Sequence, residues 1–214
     1  MTAVSATIRW DGAVPTRAAN TLAAPGGLVV CATKVGYILM TTDGPGLERK
    51  FAAKQRNRNK PGVVLCSSIE QLTELAELND EILTFYQTHW ESDILLGCIL
   101  PWREEALRLI PDATTVALAM DSRGTSCFVI KFGRPAEQLA EMMWQSRTLT
   151  FASSANPSGV GNRGRVGGIG SGSRRKQTSL SPPTTMLRQC SPAKPLTADM
   201  NRVSWFPWWT NRGS

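Results

Sequence analysis

Short continuous apolar runs, separated by stretches of helical periodicity, constrain this chain more than any other feature. Leu28 to Cys31, Gly62 to Cys66, Asp93 to Leu100, Cys127 to Phe132 and Leu149 to Ala152 are each too short for a stable helix and read as buried strands. Between them lie helical segments. Residues 18 to 24 are helix-prone and stop at Pro25-Gly26-Gly27, and Leu47 to Lys54 forms a short amphipathic turn of helix. Ser68 offers an N-cap with Gln71 three residues on, ahead of Ile69, Leu72, Leu75 and Ala76. Asp80 to His89 continues as helix. Pro135 opens another, whose buried stripe is Ala136, Leu139, Ala140 and Met143. Val116 to Met120 and Cys127 to Phe132 flank a turn containing Gly124, which predicts an antiparallel hairpin. Strands and helices so interspersed predict an α/β domain with a mixed sheet.

The chain has 214 residues, enough for one domain with a full core and some chain to spare. Its charge is unevenly placed. Residues 160 to 214 hold nine of the 24 Lys and Arg and one of the 17 Asp and Glu, a net of +8. The body is left at −1, so the basic balance belongs to the end of the chain and says little about the body's partner. Residues 164 to 173 are mostly Gly and Ser. Arg174-Arg175-Lys176, Pro182-Pro183 and Trp205-Phe206-Pro207-Trp208-Trp209 follow without apolar periodicity. That composition predicts a disordered basic tail over 164–214. Cys31, Cys66, Cys98, Cys127 and Cys190 form no C-x-x-C pair, and four of them lie in strand-like runs, as expected of buried thiols in a reducing cytoplasm. His89, the lone histidine, has no cysteine close to it in sequence, so no metal site is expected. No apolar stretch approaches the ~18 residues of a membrane span, and residues 1–15 do not read as a secretory signal.

Two clusters could carry chemistry. Lys54-Gln55-Arg56-Asn57-Arg58-Asn59-Lys60 places four cations between a helix end and a strand. These cations suit a polyphosphate, Lys as a point charge and Arg as a bidentate fork. They equally suit a solvated loop capping the helix C-terminus. Ser153-Ser154-Ala155-Asn156-Pro157-Ser158-Gly159 gathers hydroxyls and an amide at a strand end, where α/β folds bind ligands, and is also an ordinary turn composition.

Taken together, the two clusters resemble the YrdC-like family. Phe51-Ala-Ala-Lys54-Gln-Arg56, then Lys60-Pro61 and Val63-Val64-Leu65, looks like the family's K-x-R block. Ser154-Ala-Asn156-Pro-Ser-Gly159 looks like its S-x-N block. Lys131, 23 residues before Ser154, stands where members usually carry an arginine after a hydrophobic strand. The resemblance covers roughly residues 18 to 162. It implies a YrdC-like twisted mixed sheet over 18–163, with 1–17 as an N-terminal extension and 164–214 as the tail. It implies threonylcarbamoyl-adenylate synthesis from ATP, threonine and bicarbonate, with Mg²⁺ bridging phosphates, the product passing to a tRNA-modifying partner. Lys54 and Arg56 would hold phosphate and carbamate oxygens. Ser154 and Asn156 would hydrogen-bond nucleotide or carbamate, Thr33 would contact threonine, and Lys60 and Lys131 would bind substrate or nucleotide.

Some stretches depart from the family pattern. Where members have P-T-D-T-V-Y-G-L, Ala32 to Leu39 keeps Thr33, Tyr37 and Leu39 but replaces the acid by Lys34 and the glycine by Ile38. Of the family's W-P-G-P-x-T only Trp90 is retained. These changes leave two alternatives: a divergent nucleotide- or double-stranded-RNA-binding protein without synthase activity, and a carbamoyltransferase relative. The helix-and-strand segment that members carry after S-x-N, often ending in a Ser/Thr-rich strand, is not legible. Pro182 to Arg188, read one base earlier, becomes Ala-Ala-Asp-Asp-Tyr-Val-Ala. The chain after about Gly170 is therefore either an out-of-frame reading of that segment or a native basic tail binding RNA through its cations and Trp205, Trp208 and Trp209.

Overall fold

A computed structural model describes residues 7–54, 61–155 and 178–181, with side chains over 10–53 and 61–155. Eight strands form one mixed sheet: β1 (Thr7–Arg9), β2 (Val29–Thr33), β3 (Gly36–Thr41), β4 (Val63–Leu65), β5 (Leu96–Pro101), β6 (Thr125–Ile130), β7 (Phe151–Ser154) and β8 (Thr178–Ser181). Their order across the sheet is β1-β8-β2-β3-β7-β4-β6-β5. The helices are α1 (Thr16–Ala23), α2 (Gly44–Lys54), α3 (Ile69–Leu75), α4 (Asp80–Glu91), α5 (Ala113–Ala119) and α6 (Ala136–Gln145). A 3₁₀ segment spans Glu104–Leu109. Among the described residues no helix is long and apolar enough to cross a membrane.

The expected N-cap forms, with the Ser68 hydroxyl accepting from the Gln71 amide at 3.1 Å. The Gln71 side chain reaches back one residue further than a capping box, accepting from the Ser67 amide at 2.7 Å. The stripe Ala136, Leu139, Ala140 and Met143 is the buried face of α6. Cys31, Cys66, Cys98 and Cys127 are free and buried, and burial pushes their thiols up; Cys190 lies outside the described residues.

One expectation needs correction. Val116 to Met120 does not form a hairpin with β6. It belongs to α5, whose N-cap Asp112 accepts from the Thr115 amide at 2.6 Å, and the partner of β6 is β5. A short apolar run cannot by itself separate strand from helix; Ala117 and Ala119 and the Asp cap tip this one to helix. Gly36 to Thr41, to which no element was assigned, is a strand, pairing antiparallel with β2 through a turn at Lys34-Val35. Within the segment expected as tail, the Ser/Thr-rich Thr178–Ser181 forms β8, which pairs parallel with both β1 and β2. β1 and β8 thus extend the sheet beyond 18–163, and β8 falls after Gly170; residues 182–188 lie outside the described residues.

The two faces of the sheet are filled differently. On one, Val64, Phe128, Ile130, Phe151, Cys98 and Leu100 pack under α2 to α5. Tyr86 of α4 ties this layer down, its hydroxyl donating to Phe128 O at 2.7 Å and accepting from the Cys98 amide at 3.0 Å. On the other face, Val29, Cys31, Met40, Leu65, Cys127, Val129 and Ala152 pack with α1 and α6. Four strand-to-strand steps separate β2 from β6. At roughly −20 to −25° each, they turn β2 by roughly 90° relative to β6 and curl this second face into a concavity. The tip of the β2–β3 hairpin thereby meets the chain leaving β6, where the Lys34 amide donates to Phe132 O at 2.9 Å. Gly133 permits the approach. Its φ is +97°, and a Cβ there would lie 2.8 Å from Lys34 Cγ and 2.9 Å from Lys34 N.

Candidate functional site

Of the expected site residues the structure describes Thr33, Lys131 and Ser154; Thr33 and Ser154 stand on the part of the concave face that α1 and α6 leave uncovered, and Lys131 lies at its rim. Strand alternation puts Cys31 and Thr33, Ile38 and Met40, Ala152 and Ser154, and Val63 and Leu65 on that face. Cys31, Ile38 and Ser154 stand in one row across β2, β3 and β7. Thr33, Ile38 and Val63 are only half-buried, and Ser154 is exposed. Ser154 is fixed from behind. The Ala155 amide donates to Tyr37 O at 2.8 Å, and the Ala155 methyl is buried with Leu39 and Val30 on the opposite face. Asn156 lies outside the described residues.

The K-x-R block is positioned by its flanks. Lys54 is the last residue of α2, and β4 begins at Val63, paired with Ala152 two residues before Ser154. Both ends are anchored. Leu47 and Phe51 of α2 are core residues, and the Gly62 amide donates to Leu118 O at 2.9 Å. Lys50 is fully buried, its ammonium 4.4 Å from the Phe51 ring and so near Gly62 that a Cβ there would sit 2.9 Å from Nζ. The two blocks therefore come from neighbouring strands, the first leading into β4 and the second leaving β7. Arg56 and Lys60, and the side chain of Lys54, lie outside the described residues.

Thr33 has a local duty as well as a possible ligand. Its hydroxyl donates to Gly36 O at 2.8 Å and accepts from the Val35 amide at 3.3 Å, closing the hairpin turn. A hydroxyl has one hydrogen and two lone pairs, so one acceptor position remains. Lys131 is separated from Ser154 along the strands but reaches the hairpin tip through the curl. It follows β6 with φ +53° and lays its ammonium 4.1 Å from the centre of the Trp90 ring. Asp93, also at φ +53°, bridges two lysines, with Oδ1 2.8 Å from Lys34 Nζ and 3.6 Å from Lys131 Nζ. The hydrogen bond from Lys34 holds the Asp93 carboxyl below the ordinary carboxylate range. Asp93, 59 residues from Lys34, was not among the residues expected at this site. The retained Trp90 and the acid-to-lysine change at Lys34 were the available signals.

Residues 22–161 match the Sua5, YciO and YrdC domain family, described as telomere recombination. The chain belongs to the Sua5/YciO/YrdC family. A hypothetical protein of Streptococcus mutans is similar at 50% identity and a TM-score of 0.76, over 83% of this chain and 69% of that one. Sua5 of P. abyssi, solved with L-threonine, has 20% identity and a TM-score of 0.58, over 83% of this chain. The match spans 49% of that Sua5 chain. YciO of E. coli matches at 16% identity and a TM-score of 0.56, over 74% of this chain and 72% of its own. No curated protein sequence gives a match. The matched residues take in β2 to β7; β1, β8 and most of α1 lie outside them.

Proposed function

We propose that the open part of the concave face makes an acyl-adenylate from ATP, threonine and bicarbonate, as a threonylcarbamoyl-adenylate synthase. The observation that carries this reading is the convergence of the K-x-R flank and Ser154 on neighbouring strands of one open face, in a Sua5/YciO/YrdC domain. The solved relative holding L-threonine supports threonine as a substrate. In this reading the threonine amine adds to bicarbonate, loses water and becomes a carbamate. A carbamate oxygen then attacks the α-phosphate of ATP, and pyrophosphate leaves. No enzyme bond forms, so the protein's work is to position the reactants and neutralise charge. Lys54 and Arg56 hold the phosphate and carbamate oxygens, with Lys60 beside them. Ser154 and Asn156 hydrogen-bond the nucleotide or carbamate. The free lone pair of Thr33 accepts from the threonine ammonium or hydroxyl. Mg²⁺ arrives with the nucleotide phosphates, which suits a cation that keeps several waters and few protein ligands. The product would go to a tRNA-modifying acceptor enzyme in the cytoplasm.

Ile38, half-buried beside Ser154 where the family pattern has glycine, favours a second reading in which the face binds nucleotide or double-stranded RNA without synthesis. One assay separates the two. Incubation with ATP, threonine and bicarbonate releases pyrophosphate only with threonine present if the synthase reading holds. Release equal to the blank, with ATP still bound, leaves the second. Lys54→Ala and Arg56→Ala should each weaken ATP binding by about 1.5–3 kcal/mol, the worth of a charged contact to phosphate. Unchanged calorimetric affinity in both would reduce the basic stretch to a solvated helix end.

A further inference from the structure

We propose that Lys34 and Lys131 form a two-ammonium seat for an oxyanion of the ligand, and that Asp93 is its tethered occupant, displaced when the ligand binds. The inference rests on reading the concave face as the ligand site. One carboxylate oxygen, Asp93 Oδ1, faces both ammoniums, at 2.8 and 3.6 Å. The group thus has two cations for one anion and a net charge of +1. The lysines are held, while the acid is not. The Lys34 backbone is fixed by its amide, which donates to Phe132 O, and its ammonium also donates to the Asp93 carbonyl at 2.5 Å, a contact it can keep when the carboxylate turns away; Lys131 is fixed on the Trp90 ring. Their side chains are 28% and 19% exposed, against 68% for Asp93. An exposed carboxylate returns to water at little cost, whereas a half-buried ammonium that loses its partner keeps a desolvation penalty. The exchange therefore favours an incoming oxyanion over an empty seat. Thr33, adjacent to Lys34, puts the seat at the rim of the open face. A phosphate of ATP and the carboxylate of threonine share the required chemistry.

The test is calorimetric titration of the full chain with pyrophosphate, with ATP and with L-threonine. It compares the wild type with Asp93→Asn, Lys34→Gln and the double variant, each checked for an unchanged thermal midpoint. Removing the competitor should tighten binding of one ligand by about two- to fivefold, the range that an exposed ion pair withholds. Lys34→Gln should weaken the same ligand by about tenfold, and the gain from Asp93→Asn should vanish in the double variant. A response to pyrophosphate and ATP assigns the seat to phosphate; a response to threonine alone assigns it to the carboxylate. Affinities within error of wild type in both single variants, for all three ligands, overturn the proposal, as does the absence of binding in every variant. Because binding is read directly, the seat can stand where threonine-dependent pyrophosphate release is missing, and it can fail where release is intact.

Discussion

The two faces of one sheet differ in what they leave uncovered. The face under α2 to α5 is sealed with large side chains, and several of its buried polar atoms pair across elements: Tyr86 with Phe128 and Cys98, Trp102 Nε1 with Ser126 Oγ at 2.7 Å, and Ser126 with Ala119 O at 2.7 Å, while Thr115 Oγ1 is left without a partner. The concave face is packed by α1 and α6 over only part of its area. Where they stop, the same strands carry Thr33, Ile38, Val63 and Ser154, and the rim carries Lys34, Lys131 and Asp93. Strands fully occupied on one face can hold hydroxyls and charges rigidly on the other. On the proposed reading, recognition falls to the uncovered part of the concave face, whose remainder is packed as core under α1 and α6.

Substitutions on the two faces should separate these roles. Phe128 is fully buried and meets Trp102 edge-on at 5.0 Å between ring centres. Phe128→Ala should cost about 3–5 kcal/mol in urea unfolding. Tyr86→Phe should cost about 1–3 kcal/mol, since it strips partners from a buried carbonyl and a buried amide together. Ser154→Ala should move stability by no more than about 0.5 kcal/mol, yet weaken nucleotide binding. A Ser154→Ala variant that unfolds like Tyr86→Phe and binds like wild type would erase the distinction between the faces.

The sealed face was the more legible in sequence, because burial is written as periodicity. The apolar runs at Val63 to Leu65, Leu96 to Leu100 and Cys127 to Ile130, and the cap at Ser68, fall where their residue types predict. The open face was legible only as motif. Lys54, Arg56, Ser154 and Asn156 could be named, but the curl that brings Lys131 to Lys34 depends on twist accumulated over four strands, which no local window contains. The α5 segment failed because its apolar run fits either period. β8 was not legible because four residues rich in Ser and Thr, held between β1 and β2 by backbone pairing, carry little apolar signal.

Backbone amide chemical-shift mapping of the full chain, with ATP and then L-threonine added, tests the central claim most directly. The account predicts shifts at Thr33, Lys34, Ile38 and Ser154 on the concave face, with Asp93 and Lys131 responding at the rim. Phe85 and Cys98, which line a groove of about 520 Å³ beside α4, should not move. Shifts confined to that groove, or no shifts with either ligand, would contradict it.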